Sequence, residues 1–126
     1  MIFLDTSVLV HALAGTGSAA SALHDAFDRG ERVQLPALVL YEWLRGPRLA
    51  RELAAQEALF PFNASVVFGP VEAAKAAALY RRLSRTRGRE IDIGIAACAI
   101  CHEATLWTLN MKDFDDIPGL RVTTPR

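Results

Sequence analysis

The strongest constraint on the fold is the alternation of short apolar runs with longer helical segments along the chain. An apolar run occupies residues 2–4, and the strongly apolar helical stretch 91–101 is followed by another short run at residues 105–108. Strands that alternate with helices are typical of crossover connections, which place neighbouring strands parallel. We therefore predict an α/β fold with a mainly parallel sheet of four to five strands and helices on both faces.

The bounds of the predicted elements follow from apolar spacing, helix caps and breakers. Strands are predicted at residues 2–4, 33–35, 65–68, 105–108 and 120–123. A first helix is predicted to start at a cap formed by Thr6 or Ser7 and to stop at the break of residues 15–17. Further helices are predicted at residues 18–29, 37–45, 48–59, 71–85 and 91–101.

Size and charge restrict the class of protein. The chain has 126 residues, of which 52% are hydrophobic and 22% charged, so we expect one globular domain over residues 1–126. The net charge is zero, so a nucleic-acid partner has to be held by a local basic patch. The apolar runs are too short for a membrane span, and no basic region precedes the first one. We expect no membrane contact, a cytoplasmic location and two reduced cysteines.

Three separated acids are candidates for a functional site, and each also has a purely structural explanation. Asp5 directly follows the first predicted strand, where an Asp commonly caps the next helix. Glu42 lies in a helix that is apolar on almost every side, although an ordinary ion pair with Arg45 would account for it. Asp92 opens an apolar helix, a position that the helix dipole favours for carboxylates.

A polar, acid-rich loop after the strand at residues 105–108 adds Asp113 as a fourth candidate acid. If Asn110 to Asp113 form one tight turn, both side chains return to the same side of the loop. We expect Asp115 and Asp116 to continue away from it into solvent.

Together these acids indicate a metal centre. In a parallel sheet, sites form outside the carboxyl ends of the strands, and Asp5 and Asn110 both follow predicted strand ends. Carboxylates that repel one another converge where a cation holds them. Oxygen ligands without His or Cys favour Mg²⁺, with Mn²⁺ as the alternative. Such ions clamp phosphate oxygens and activate water, as in many nucleases.

At these residues the chain resembles a known family. The stretches MIFLDTSVLV, LPALVLYEWLRG and DIGIAACAICHEATLWTLNMKDFDDIPGLRV are similar to PIN domains, specifically to the VapC-type toxins of type II toxin–antitoxin operons. The resemblance implies a PIN-like α/β fold and a metal-dependent endoribonuclease that acts on RNA. It also implies a VapB-type antitoxin as a partner, and a homodimer.

The resemblance also assigns roles to single residues. Asp5 and Asp92 match the principal metal-binding acids of the family, and Glu42 matches the acid of its central helix. Many relatives carry Asp where this chain has Asn110, so Asp113 is taken as the fourth catalytic and metal-binding acid. Asn110 is a secondary candidate, which can supply a neutral oxygen to the metal or orient water or phosphate, and it stays open which of the two is the fourth ligand. Thr108 belongs to the Thr-x-Asn pattern of the family and is expected to hydrogen-bond a carboxylate or a water.

Two further patterns need an interpretation. Residues 98–102 spell C-x-x-C-H, the haem-attachment pattern, but they fall inside a predicted helix, and we favour packing over haem or zinc. Arg81 and Arg82 are expected on a solvated helix face. The candidates for binding RNA phosphates are Arg45, Arg85, Arg87 and Arg89, with Arg48 as a further one.

Three alternatives stay open. The first is a Mg²⁺-dependent phosphoryl-transfer or receiver-type α/β domain, although Asp5-Thr6-Ser7 supplies only one acid after the first strand. The second is a PIN-like nuclease that acts on structured DNA. The third is a catalytically weakened PIN-like interaction domain, for which Asn110 is the only hint.

Overall fold

The computed structural model describes residues 1–15 and 17–126, and in this part of the chain it contains four strands and six α-helices. The strands are β1 (Ile2–Leu4), β2 (Val33–Gln34), β3 (Thr105–Trp107) and β4 (Arg121–Thr123). The helices are α1 (Thr6–Ala14), α2 (Ser18–Asp28), α3 (Ala37–Arg45), α4 (Ala50–Leu59), α5 (Pro70–Arg82) and α6 (Glu90–Cys101). Single 3₁₀ turns occupy Phe62–Ala64 and Met111–Asp113.

The four strands form one parallel sheet in the order β2-β1-β3-β4. In the register of this sheet Ile2 lies opposite Val33 on one side and Thr105 on the other. Asp5 follows β1 and Thr108 follows β3, so both residues lie at the same edge of the sheet, where parallel strands end. The predicted parallel α/β class is confirmed.

The predicted strand at residues 65–68 is wrong. Only Val66 takes part in pairing, through one parallel bridge to Pro36, and Val67 is 72% exposed. The Val66 N–H donates to the Leu35 carbonyl, and the Val66 carbonyl accepts from the Ala37 N–H, both at 2.8 Å. The run is apolar enough for a strand, but α3 begins at Ala37 and leaves it no strand partner to extend along.

Helix starts and ends differ from the prediction in small ways. Asp5, not Thr6 or Ser7, caps α1, because its carboxylate accepts a hydrogen bond from the Val8 N–H. The helix predicted to reach residue 85 ends at Arg82. The predicted break at residues 15–17 includes residue 16, which lies outside the described residues.

The core is built around α6, whose residues 93–99 are all buried. This helix packs against α5, α3 and β3. Gly94 permits close contact with α3, since a Cβ at this position would lie 2.6 Å from Leu38 Cδ1. Among the described residues, no helix combines the length and the apolar character that crossing a membrane requires.

Candidate active site

Asp5 is held rigidly at the end of β1. Its Oδ1 accepts hydrogen bonds from Ser7 Oγ at 2.5 Å and from the Val8 N–H at 3.2 Å, and its Oδ2 accepts one from Thr108 Oγ1 at 2.6 Å. The residue is only 4% exposed. Burial raises the pKa of the Asp5 carboxyl, and these hydrogen bonds offset part of that rise.

The two hydroxyls that bind Asp5 also bind the segment after β3. Ser7 Oγ accepts a hydrogen bond from the Leu109 N–H at 3.0 Å, and Thr108 Oγ1 accepts one from the Asn110 N–H at 2.9 Å. Each hydroxyl therefore donates to the carboxylate and accepts from the backbone, which fixes its orientation. Thr108 makes the carboxylate contact that the sequence led us to expect.

Glu42 enters the same region from α3. Its Oε1 accepts a hydrogen bond from Thr6 Oγ1 at 2.5 Å, and its Oε2 pairs with Arg45 Nη2 at 3.3 Å. The two explanations offered by the sequence are therefore compatible. Glu42 makes the ordinary helix-surface ion pair and also lines a pocket with Asp5.

Asp92 lies in the first turn of α6 and faces the other acids. Burial, followed by the charges of Asp113, Glu42 and Asp5, raises the pKa of Asp92 to about 6. The charge of Arg89 opposes this shift without cancelling it. The negative charges of all three other candidate acids thus contribute to the raised pKa of Asp92.

The loop after β3 turns as tightly as predicted. The Asp113 N–H donates to the Asn110 carbonyl at 3.0 Å, which closes the 3₁₀ turn Met111–Asp113. The Asn110 and Asp113 side chains consequently line the same pocket.

These residues surround one pocket of about 530 Å³. Its lining brings together every predicted acid, namely Asp5, Glu42, Asp92 and Asp113, together with Asn110. One face of α1 completes it with Ser7, Val10, His11 and Ala14, which the sequence analysis did not select. The available signal was the three- and four-residue spacing of these positions from Ser7 onward, because residues so spaced share one helix face.

The donor set of the pocket suits Mg²⁺ bound partly through water. Within residues 1–15 and 17–126, no three Asp, Glu, His or Cys side chains stand close enough together to hold a metal ion as they are. Mg²⁺ usually keeps several waters and binds one or two carboxylates directly. Four carboxylates and one amide that line one pocket fit that mode of binding, because the acids that do not contact the ion can bind its waters.

Comparisons with known proteins identify the family of the chain. The sequence profile of the PIN domain matches residues 2–120. The chain belongs to the PIN domain family. It is similar to Ribonuclease VapC19 of Mycobacterium tuberculosis, with 35% identity over 127 positions that cover 96% of this chain and 98% of the relative. Because the chain is a PIN domain similar to a VapC ribonuclease, it is not a receiver-type α/β domain.

Solved structures share the fold of this PIN domain. DNA-bound VapBC from Salmonella typhimurium superposes with a TM-score of 0.82 at 22% identity, over 99% of this chain and 98% of that chain. A toxin–antitoxin complex from Klebsiella pneumoniae gives a TM-score of 0.75 at 25% identity, over 100% and 98% of the two chains.

The arginines proposed to bind RNA differ in how far they are exposed. Arg45, Arg85 and Arg87 are exposed, and Arg85 donates to the Lys112 carbonyl beside the acidic loop. Arg48 is partly buried, stacks on the Trp43 ring at 4.2 Å and donates to the Trp43 carbonyl.

The prediction that Arg89 binds RNA phosphates is wrong. Arg89 is only 6% exposed, and its guanidinium binds groups inside this PIN domain instead of facing solvent. Its carboxylate partner is Asp116, which was expected to point into solvent. The hydrogen bond from Arg89 lowers the pKa of Asp116.

Cys98 and Cys101 lie inside α6, as predicted, and both are free thiols. Cys98 is buried, and burial raises the pKa of its thiol to about 12. A thiol with this pKa is a poor nucleophile at neutral pH.

Proposed function

We propose that this PIN-domain protein is a divalent-metal-dependent endoribonuclease and the toxin of a type II toxin–antitoxin module. The observation that carries the proposal is the convergence of Asp5, Glu42, Asp92 and Asp113 on one pocket. The similarity to Ribonuclease VapC19 supports RNA as the substrate class.

The chain's own residues explain why a cation belongs in this pocket. An acidic pocket by itself repels the phosphates of RNA. A divalent cation supplies charge neutralisation at the phosphate oxygens and a water of lowered pKa for attack on phosphorus. Asp5 and Asp92 would hold the ion, with Glu42 and Asp113 completing the oxygen set. Asn110 adds a neutral oxygen that contributes no further repulsion.

Preorganisation is the second contribution of the chain. The Asp5 carboxylate accepts three hydrogen bonds and Glu42 accepts one from Thr6, so neither side chain has to be reordered when the site is filled. The exposed Arg45, Arg85 and Arg87 are proposed to hold RNA phosphates at the rim.

A partner follows from the same family. The solved relatives include toxin–antitoxin complexes. We propose that an antitoxin of the VapB type inhibits this chain, and that the chain forms a homodimer. Co-expression with the product of the adjoining open reading frame should yield a stable complex without RNA cleavage.

The test is cleavage of a circular single-stranded RNA by the purified chain. A circle has no ends, so only an endonuclease linearises it. We expect cleavage with Mg²⁺ or Mn²⁺, none with EDTA, and none for Asp5→Asn and Asp92→Asn with folding retained. Asp115→Ala is the matched control, because Asp115 is an exposed acid outside the pocket. Metal-independent cleavage, or full activity of Asp92→Asn, would contradict the proposal.

A further inference from the structure

Arg89 occupies an unusual position between two parts of the pocket. It immediately precedes α6, three residues before Asp92, and its backbone carbonyl accepts the first helical hydrogen bond from the Ile93 N–H. Its side chain, in contrast, crosses to the loop after β3. Its backbone thus starts the helix that carries Asp92, while its side chain binds the loop that carries Asp113.

The side-chain contacts are numerous and short. Nη1 donates to Asp116 Oδ2 at 2.9 Å, and Nη2 donates to Asp116 Oδ1 at 2.6 Å, which makes the pair bidentate. Nη2 also donates to the Asp113 carbonyl at 2.8 Å, and Nη1 donates to the Arg85 carbonyl at 2.6 Å. A bidentate guanidinium–carboxylate pair fixes geometry better than a single charge contact does. We call these four contacts the Arg89 clamp.

The clamp is separate from what holds the loop in the fold. Phe114 and Ile117 anchor the same loop by burial, with exposures of 1% and 5%. Loss of the clamp should therefore leave the loop docked on the core. What it should change is the fine position of Asp113, because the clamp binds the carbonyl of that residue directly.

We infer that Arg89 is a positioning residue, which fixes Asp113 relative to Asp92 through its hydrogen bond to the Asp113 carbonyl and its bidentate pair with Asp116. This inference rests on the proposed function, since it assigns the clamp to the metal site of the same pocket. It also gives Asp116 a role, although its side chain does not line the pocket. Residues that orient metal ligands commonly change metal affinity by about 10–100-fold when they are replaced.

Variants of the clamp separate geometry from charge. Asp116→Ala removes both acceptors of Arg89, whereas Asp116→Asn keeps one planar oxygen acceptor. Arg89→Lys keeps the positive charge near Asp92 but lacks the planar guanidinium that binds both Asp116 oxygens in parallel. Asp115→Ala is the control, because Asp115 is an exposed acid in the same loop.

The experiment measures Mn²⁺ binding to each variant by electron paramagnetic resonance, with the melting temperature recorded in parallel. We expect Asp116→Ala and Arg89→Lys to weaken Mn²⁺ binding about tenfold, Asp116→Asn to weaken it less, and Asp115→Ala to match wild type.

Melting temperatures that fall while Mn²⁺ affinity stays unchanged would show a merely structural ion pair and overturn the inference. Wild-type affinity in Arg89→Lys would show that charge suffices and would overturn it as well. A wild-type chain that binds no Mn²⁺ would overturn the proposed metal site and this inference together, whereas binding in wild type with no effect of the variants would overturn the inference alone.

Discussion

At the scale of single residues, the raised pKa of Asp92 is the observation that most favours the proposed cation. Burial and three neighbouring carboxylates raise its pKa to about 6. A carboxyl whose pKa is higher in the folded state than in the unfolded state stabilises the fold at low pH. Its contribution is complete below about pH 4 and is lost as the pH rises through about 6. At neutral pH the ionised Asp92 therefore destabilises the metal-free protein.

We predict that Asp92→Asn raises the melting temperature of the metal-free protein at pH 7.5. The expected gain is about 1–2 kcal/mol after screening by solvent, which corresponds to several degrees. The gain should shrink as the pH is lowered towards 4, because wild-type Asp92 is then protonated. Saturating Mg²⁺ should reverse the order, since it stabilises only the protein that binds it. Calorimetry at several pH values in EDTA checks this, and a gain that does not depend on pH would contradict it.

A second question at the residue scale is whether Asn110 or Asp113 is the fourth ligand of the proposed metal ion. Asn110 and Asp113 both line the pocket, and only Asp113 carries charge. We predict that Asp113→Ala clearly raises the Mg²⁺ concentration needed for half-maximal cleavage, though with less loss of activity than Asp5→Asn. Asn110→Asp should remain active and bind Mg²⁺ at least as tightly, because it adds a carboxylate at the metal. Unchanged Mg²⁺ dependence in Asp113→Ala would remove this residue from the ligand set.

At the scale of elements, the sequence predicts helix bounds well where neighbouring residues determine them. Helix α3 has the predicted bounds, because Pro36 precedes it and Gly46 follows it. Residues 65–68 failed as a strand because pairing needs a partner, and β-propensity does not supply one. Arg89 and Asp116 were misread for a related reason. Their ion pair spans 27 residues of sequence, so each residue by itself resembles a solvated loop charge.

The contact of α3 with α6 gives a prediction for elements. Gly94 lies two residues after Asp92, and a Cβ there would meet Leu38 Cδ1 at 2.6 Å and Phe68 Cε2 at 3.4 Å. Gly94→Val adds further carbons against both side chains, so we predict destabilisation of about 1–3 kcal/mol. The combined variant with Leu38→Ala should recover part of it, because Leu38 is the closest obstacle. Urea unfolding of both variants is the measurement, and a Gly94→Val protein as stable as wild type would show that the helices are not in close contact here.

At the scale of the whole molecule, a net charge of zero hides a local asymmetry. Four of the 14 acids line the pocket, while Arg45, Arg85 and Arg87 are exposed. The sequence singled out acids that line this pocket, because each lies at or shortly after a strand end, at a helix start or in an apolar helix, where a charge is conspicuous. It did not distinguish exposed arginines from a buried one, since burial is a property of the assembled fold.

We predict that Arg87→Ala raises KM for RNA with little change in kcat. Release of counterions from RNA makes KM depend on salt, and the loss of one phosphate contact should lower the slope of log KM against log salt by about 1. Arg126→Ala is the control, because Arg126 lines a different groove beside Arg121. Equal salt slopes in wild type and Arg87→Ala would remove this side chain from the RNA interface.

The most direct test of the metal site is the anomalous difference density of a crystal of this chain soaked in MnCl₂. We predict a Mn²⁺ peak in the pocket, within direct coordination distance of Asp5 or Asp92, and no peak there in Asp92→Asn crystals soaked in parallel. A soaked wild-type crystal with no peak among these carboxylates, or with Mn²⁺ only elsewhere on the surface, would contradict the account.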